Sequence, residues 1–100
     1  MRLLADLHTH TVASGHAYST AAEIATAAAA RGLELVALTD HGPAVPGGAH
    51  LWHFWNMKVV PSVLMGVRLL KGCEANPVPD TENGIDLPDE MLSMLDFFAV

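Results

Sequence analysis

Cysteine is almost missing. Cys73 stands alone in 100 residues, so no internal disulfide can form. A lone thiol suits a reducing compartment, and the expected location is the cytoplasm. Basic residues are scarce too: five Lys and Arg face eleven Asp and Glu, a formal charge of −6. Proteins that grip a nucleic-acid backbone by charge carry basic patches, so no nucleic-acid partner is expected. No apolar stretch reaches the roughly 18 residues of a membrane span. The opening Met1-Arg2-Leu3-Leu4-Ala5-Asp6 turns polar too early for a secretion signal, so no membrane partner is expected either. With 51% apolar and 16% charged residues, the chain is not a disordered tail; it has the size and composition of one small domain with a core.

Histidine is plentiful, at six residues. An acidic protein that handles phosphate needs positive charge from a source other than Lys and Arg, and imidazole-bound cations would supply it. The signs are also unevenly placed. Lys71 is the last basic residue, with Glu74, Asp80, Glu82, Asp86, Asp89, Glu90 and Asp96 after it. A complete domain usually intersperses them, which leads us to expect further chain.

Leu3–Leu7 reads as a first, buried strand. A polar, Gly-containing loop follows from Thr9 to Tyr18. Thr20 and Glu23 then make a Thr-x-x-Glu capping box ahead of an alanine-rich helix that stops at Arg31-Gly32. Leu35–Thr39 is apolar throughout, as parallel strands covered on both faces are. Leu51 to about Val60 predicts a second helix, ended by Pro61. Val67–Ala75 predicts a third strand, Asp86–Leu95 a short helix with Pro88 in its first turn, and Phe97–Val100 the start of a fourth strand. The order β-α-β-α-β-α-β implies an α/β fold with a parallel sheet. The chain stops inside an apolar strand, so residues 1–100 are expected to be the N-terminal part, about four strands, of a larger α/β barrel.

Ligand-type residues fall where these strands end. His8 and His10 follow the first, His41 the second, and Glu74 sits near the end of the third; sites in parallel α/β folds lie at that edge. In His8-Thr9-His10, residues i and i+2 point to one side of an extended segment, about 6.6 Å apart along it. Imidazoles leaning inward from there can meet one ion at about 2.0–2.1 Å. The plainer explanation is a solvated strand end. Asp6 lies on the same face and is a candidate to orient a His ring. His16 is a lone loop histidine, a residue type more often solvated than ligating. Asp40-His41-Gly42 releases an imidazole into a glycine turn; Asp40, like Asp6, is a candidate to support a ligand from behind, and its plainer role is a turn cap. Glu74, a carboxylate within an apolar strand, is costly unless paired or metal-bound, and its two oxygens can bridge two cations. Cys73 beside it points to the opposite face and reads as a small buried hydrophobe. His50, Trp52, His53, Phe54 and Trp55 read first as aromatics packed on a barrel. Alternatively they wall a substrate pocket, with His53, Asn56 or Lys58 near a phosphate.

Asp6-Leu7-His8-Thr9-His10-Thr11, His16, Thr39-Asp40-His41-Gly42 and Glu74-Ala75-Asn76 together resemble the PHP (polymerase and histidinol phosphatase) superfamily. Val12–Ser19 and Trp52-His53-Phe54-Trp55-Asn56-Met57 resemble its YcdX-like phosphatase branch. The resemblance implies a distorted, TIM-like (β/α)7 barrel with three metal ions, usually zinc, sometimes manganese or iron. It implies that His8 and His10 bind one ion, that Glu74 bridges it to a second, and that His16 and His41 bind the third. The remaining ligands of that pattern, further histidines and an Asp-x-His pair from later strands, are not among residues 1–100.

The expected reaction is metal-assisted hydrolysis of a small-molecule phosphate ester, most simply a phosphomonoester. A hydroxide activated by the ions and held by Glu74 would attack phosphorus in line. Competing expectations are an amidohydrolase, whose barrels also begin with His-x-His, a nuclease or polymerase-associated editing module, and a fragment that binds metal without turnover.

Overall fold

The computed structural model describes residues 4–100. Five strands form one curled sheet, a half-barrel with helices between the strands: β1 (Ala5–Thr9), β2 (Leu35–Leu38), β3 (Val63–Leu64), β4 (Val67–Glu74) and β5 (Phe97–Ala99). β1, β2 and β4 lie side by side and parallel, in register from Ala5↔Leu35 and from Leu35↔Arg68. The other edge of β4 is divided between two partners. β3 pairs antiparallel with its beginning, and β5 pairs parallel with its end, from Gly72↔Phe97 to Glu74↔Ala99.

Helix α1 (Ala21–Ala30) begins where its capping box places it. The Thr20 hydroxyl accepts from the Glu23 N–H, and the Glu23 carboxylate accepts from the Thr20 N–H. Ala25 and Ala28, three residues apart on one face, are buried in the core; methyl side chains let the helix lie close to the strands. In β2, Val36, Ala37 and Leu38 are all buried, so both faces are covered as their unbroken apolarity predicts. Phe54, Met57, Val67, Leu69, Cys73 and Leu87 complete the core.

Three local expectations are corrected. The first strand is not buried: Asp6, Leu7 and His8 are exposed, because β1 is an edge strand paired with β2 alone among the described residues. Of its expected span, Leu3 lies outside the described residues. The second helix is α-helical only as α2 (Leu51–Trp55), and Asn56–Val59 continues as a 3-10 turn. There Phe54 is buried, while Trp52 and Trp55 face outward, so only one aromatic of the cluster packs on the sheet. The helix expected over Asp86–Leu95 shrinks to α3 (Asp89–Leu92), since Pro88 is extended (ψ 153) and stands before the first turn.

The β3–β4 hairpin lies outside those expectations altogether, and β3 is the antiparallel member of the sheet. Met65 and Gly66 both have positive φ (53 and 76), the type I′ conformation that matches strand twist. The usual signal is Asn-Gly or Asp-Gly, and methionine conceals it. Because the left-handed region costs a non-glycine residue about 1 kcal/mol, Met65→Asn is expected to stabilise the chain by about 0.5–1 kcal/mol in urea unfolding. An unchanged or lowered midpoint would contradict this turn. No helix among the described residues is long and apolar enough to cross a membrane.

Candidate metal centre

Since β1, β2 and β4 are parallel, their carboxyl ends share one rim, where His8, His10, His41 and Glu74 emerge. The pairing continues past β2: His41 bridges Glu74, the Glu74 N–H donates to the Asp40 carbonyl (2.9 Å), and the Gly42 N–H donates to the Glu74 carbonyl (3.0 Å). Between β1 and β2 the register shifts after Asp6, and two threonines fasten the strand ends. The Thr39 hydroxyl donates to the Thr9 carbonyl (3.1 Å), and the Thr9 hydroxyl donates to the Ala37 carbonyl (2.7 Å).

The rings converge. His8 Nε2 lies 3.0 Å from His10 Nε2. Glu74 Oε1 contacts His8 Nε2 closely and lies 3.2 Å from His10 Nε2, while Glu74 Oε2 lies 3.2 Å from His41 Nδ1. On the far side of His10, its ring centroid is 4.6 Å from that of His41 and 5.2 Å from that of His16. Two sets of donors are therefore drawn together, His8–His10–Glu74 and His10–His16–His41, each with ligand atoms within 4.8 Å of one another.

These donors suit a divalent ion. Tetrahedral ligation at about 2.0–2.1 Å separates donor atoms by roughly 3.3 Å, close to the 3.0 and 3.2 Å spacings within the first set. His10 Nδ1 is buried without a hydrogen-bond partner. Nitrogen with carboxylate oxygen is a donor mixture acceptable to zinc, manganese and iron. His16 Nδ1 is 3.0 Å from the Ser14 carbonyl; donation there fixes the tautomer and leaves the Nε2 lone pair free.

Two of the donors, His10 and Glu74, are shifted toward the form that binds a cation. Burial, then the neighbouring His41 charge, lowers the His10 pKa and keeps the ring neutral. For Glu74, burial acts to raise the pKa. The hydrogen bond from His8 and the charges of His41, His8 and His10 outweigh it, so the carboxyl is held below its ordinary range. Cys73 is fully buried, and burial, helped by the Asp86, Asp40 and Glu74 charges, pushes its pKa up to about 12. It stays a thiol and packs as a small hydrophobe.

Asp40 is wholly buried and does not face the rim. It accepts from the Thr11 N–H (2.6 Å), the Thr11 hydroxyl (2.7 Å) and the Ser14 hydroxyl (2.7 Å), and His53 Nε2 lies 3.2 Å away. Ser14 in turn accepts from the His41 N–H (3.0 Å), so one carboxylate ties the His16 loop to the end of β2. Burial would raise the Asp40 pKa, but His53, Ser14 and Thr11 overcome it and bring the value down to about 2.

The other expected residues separate. Asp6 Oδ1 accepts from the backbone N–H of His8 (3.1 Å), so it holds the strand and no ring. His53 reaches Asp40 rather than the imidazole cluster. Asn56 and Lys58 are exposed on the 3-10 turn, with Lys58 Nζ 6.0 Å from the centre of the Trp55 ring. Sequence reasoning missed Thr11, Ser14 and Thr39, whose short hydroxyl side chains read as loop and strand filler. It also missed Asp86, which reads as the first residue of a helix.

Imidazoles and a shared carboxylate on the carboxyl rim of a parallel half-barrel define the class: an α/β barrel-type protein with a candidate metal centre. Comparison with known proteins supplies the family. The PHP domain pattern matches residues 6–96, and the chain belongs to the PHP family. It is 56% identical over 97 residues to a "Probable phosphatase" of Acetivibrio thermocellus, covering 97% of this chain and 40% of that protein. A "Probable phosphatase" of Thermoanaerobacter sp. is 53% identical over 96 residues (96% and 39%), and one of Photobacterium profundum is 50% identical over 97 (97% and 39%). The chain spans about 40% of the length of these curated relatives.

Proposed function

We propose that this chain is the N-terminal part of a PHP-type metal-dependent phosphoesterase. Its substrate would be a small-molecule phosphate monoester, and its setting a reducing cytoplasm. The observation that carries this reading is the pair of overlapping donor sets joined at His10, with Glu74 reaching His8 and His10 through one oxygen and His41 through the other. His8, His10 and Glu74 would hold one ion and His16 and His41 another, with zinc the first candidate and manganese or iron alternatives. Divalent ions bound there supply positive charge against phosphoryl oxygens and make water a nucleophile near neutral pH. Glu74, ionised and anchored through its backbone to Asp40 and Gly42, keeps the donor sets at fixed separation. Neutral His10 presents a lone pair without first losing a proton. A net charge of −6 with five basic residues leaves the anionic substrate to bound cations, not to Arg or Lys.

The test is zinc and manganese titration of the chain, followed by parallel assays with p-nitrophenyl phosphate and a p-nitroanilide. At least one ion should bind per chain, with phosphate-ester hydrolysis preferred. No bound ion would sink the reading, and hydrolysis of the anilide alone would turn it to an amidohydrolase. Salt-dependent binding to single-stranded DNA would revive the nuclease reading. Because the chain spans about 40% of its relatives, a bound ion without turnover would assign it the metal-binding share of a larger site.

A further inference from the structure

Behind the imidazole cluster, a second carboxylate binds two loops to each other. Asp86 Oδ1 accepts from the Asn76 backbone N–H (2.8 Å). Its Oδ2 accepts from the Asn76 side-chain amide (2.6 Å) and from the Ala44 N–H (3.0 Å). The Asp86 N–H donates back to the Asn76 carbonyl (3.1 Å), and the Asn76 amide also donates to the Gly42 carbonyl (3.2 Å). Ala44 follows His41 by three residues and Asn76 follows Glu74 by two. Asp86 therefore crosslinks the segment carrying His41 to the segment carrying Glu74, just beyond the point where their backbone pairing ends. The fit is tight at Gly42, where an added Cβ would lie 2.4–2.7 Å from the Asp86 carboxyl group.

We propose that Asp86 is a positioning residue for the metal centre: it touches no proposed ligand side chain, yet sets the separation of His41 and Glu74 by clamping Asn76 to the Gly42–Ala44 turn. The proposal rests on the metal-binding reading above. Outer groups that orient ligands contribute about 10- to 100-fold to metal affinity. Loss of the carboxylate leaves three N–H donors without their partner and frees the loops to part.

The experiment titrates the chain with Co²⁺, reading affinity by chelator competition and ligand geometry from the visible absorption bands, with urea unfolding of the metal-free chain alongside. Asp86→Ala is expected to weaken Co²⁺ binding by about 10- to 100-fold and to shift the bands. Asp86→Asn, which keeps one acceptor oxygen, should lose less. Gly42→Ala, whose methyl displaces the same carboxyl while leaving Asp86 in place, should reproduce the Asp86→Ala spectrum and covers the case in which that variant fails to fold. Val67→Ala, which opens the core at the start of β4, the end of that strand opposite Glu74, serves as the control for general destabilisation and should leave affinity and bands unchanged. If Asp86→Ala or Gly42→Ala lowers stability but keeps the wild-type affinity and spectrum, the clamp is structural only and the proposal falls alone. If the unaltered chain binds no Co²⁺, the metal-centre reading falls and takes this one with it.

Discussion

Asp40→Ala is expected to cost about 3–5 kcal/mol of stability. The carboxylate is wholly buried, and its removal leaves the Thr11 N–H, the Thr11 hydroxyl and the Ser14 hydroxyl without an acceptor. Small domains are stable by only about 5–15 kcal/mol, so the variant should be largely unfolded at mild urea concentrations. Asp40→Asn should lose less, since one oxygen still accepts. A loss below about 1 kcal/mol by urea titration would show that the loop does not depend on this carboxylate. The pH dependence has a definite sign. The carboxyl is depressed from its ordinary 3.8 to about 2. Its contribution is therefore complete above about pH 5 and is lost progressively as pH falls from there to about 1. That shift corresponds to about 2 kcal/mol of stability. Wild type should lose it on acidification, while Asp40→Asn should show a flatter profile in that window.

Glu74→Gln is expected to reduce Zn²⁺ affinity by more than about 100-fold, beyond the range seen for outer positions, because it removes the anionic donor itself. Glutamine keeps the size and one oxygen but loses the charge and the second equivalent acceptor. His16→Ala should cost less, because His16 is exposed and belongs to one donor set, whereas the Glu74 oxygens face His8, His10 and His41. Chelator competition measures both. Equal affinities for Glu74→Gln and wild type would remove Glu74 from the ligand set and leave the three imidazoles as a separate site.

Much of the fold was legible because it is written locally. A Thr-x-x-Glu box and a run of alanines specify a helix from backbone donors and side-chain volumes within a few residues of each other. Val36-Ala37-Leu38 announces a strand covered on both faces without any knowledge of its neighbours. His8, His10, His41 and Glu74 were legible as neighbours because strand ends in parallel α/β proteins share an edge. The Met65-Gly66 turn was hidden because its conformation is carried by φ angles that methionine does not advertise. The shortness of α3 was hidden because Asp86 bonds Asn76 and Ala44 across the rim instead of starting a helix.

What the amino-acid order determines by itself is the alternation of strands and helices, the scarcity of cationic side chains and the placing of imidazoles at strand ends. Each depends on residues close together in the chain. Tertiary structure alone decides that His10 is common to two donor sets, that Asp40 and Asp86 brace the loops instead of facing the cluster, and that Asn56 and Lys58 stand apart. Those outcomes hang on contacts between residues 10 to 66 positions apart, and such contacts exist only once the parallel strands have aligned their ends.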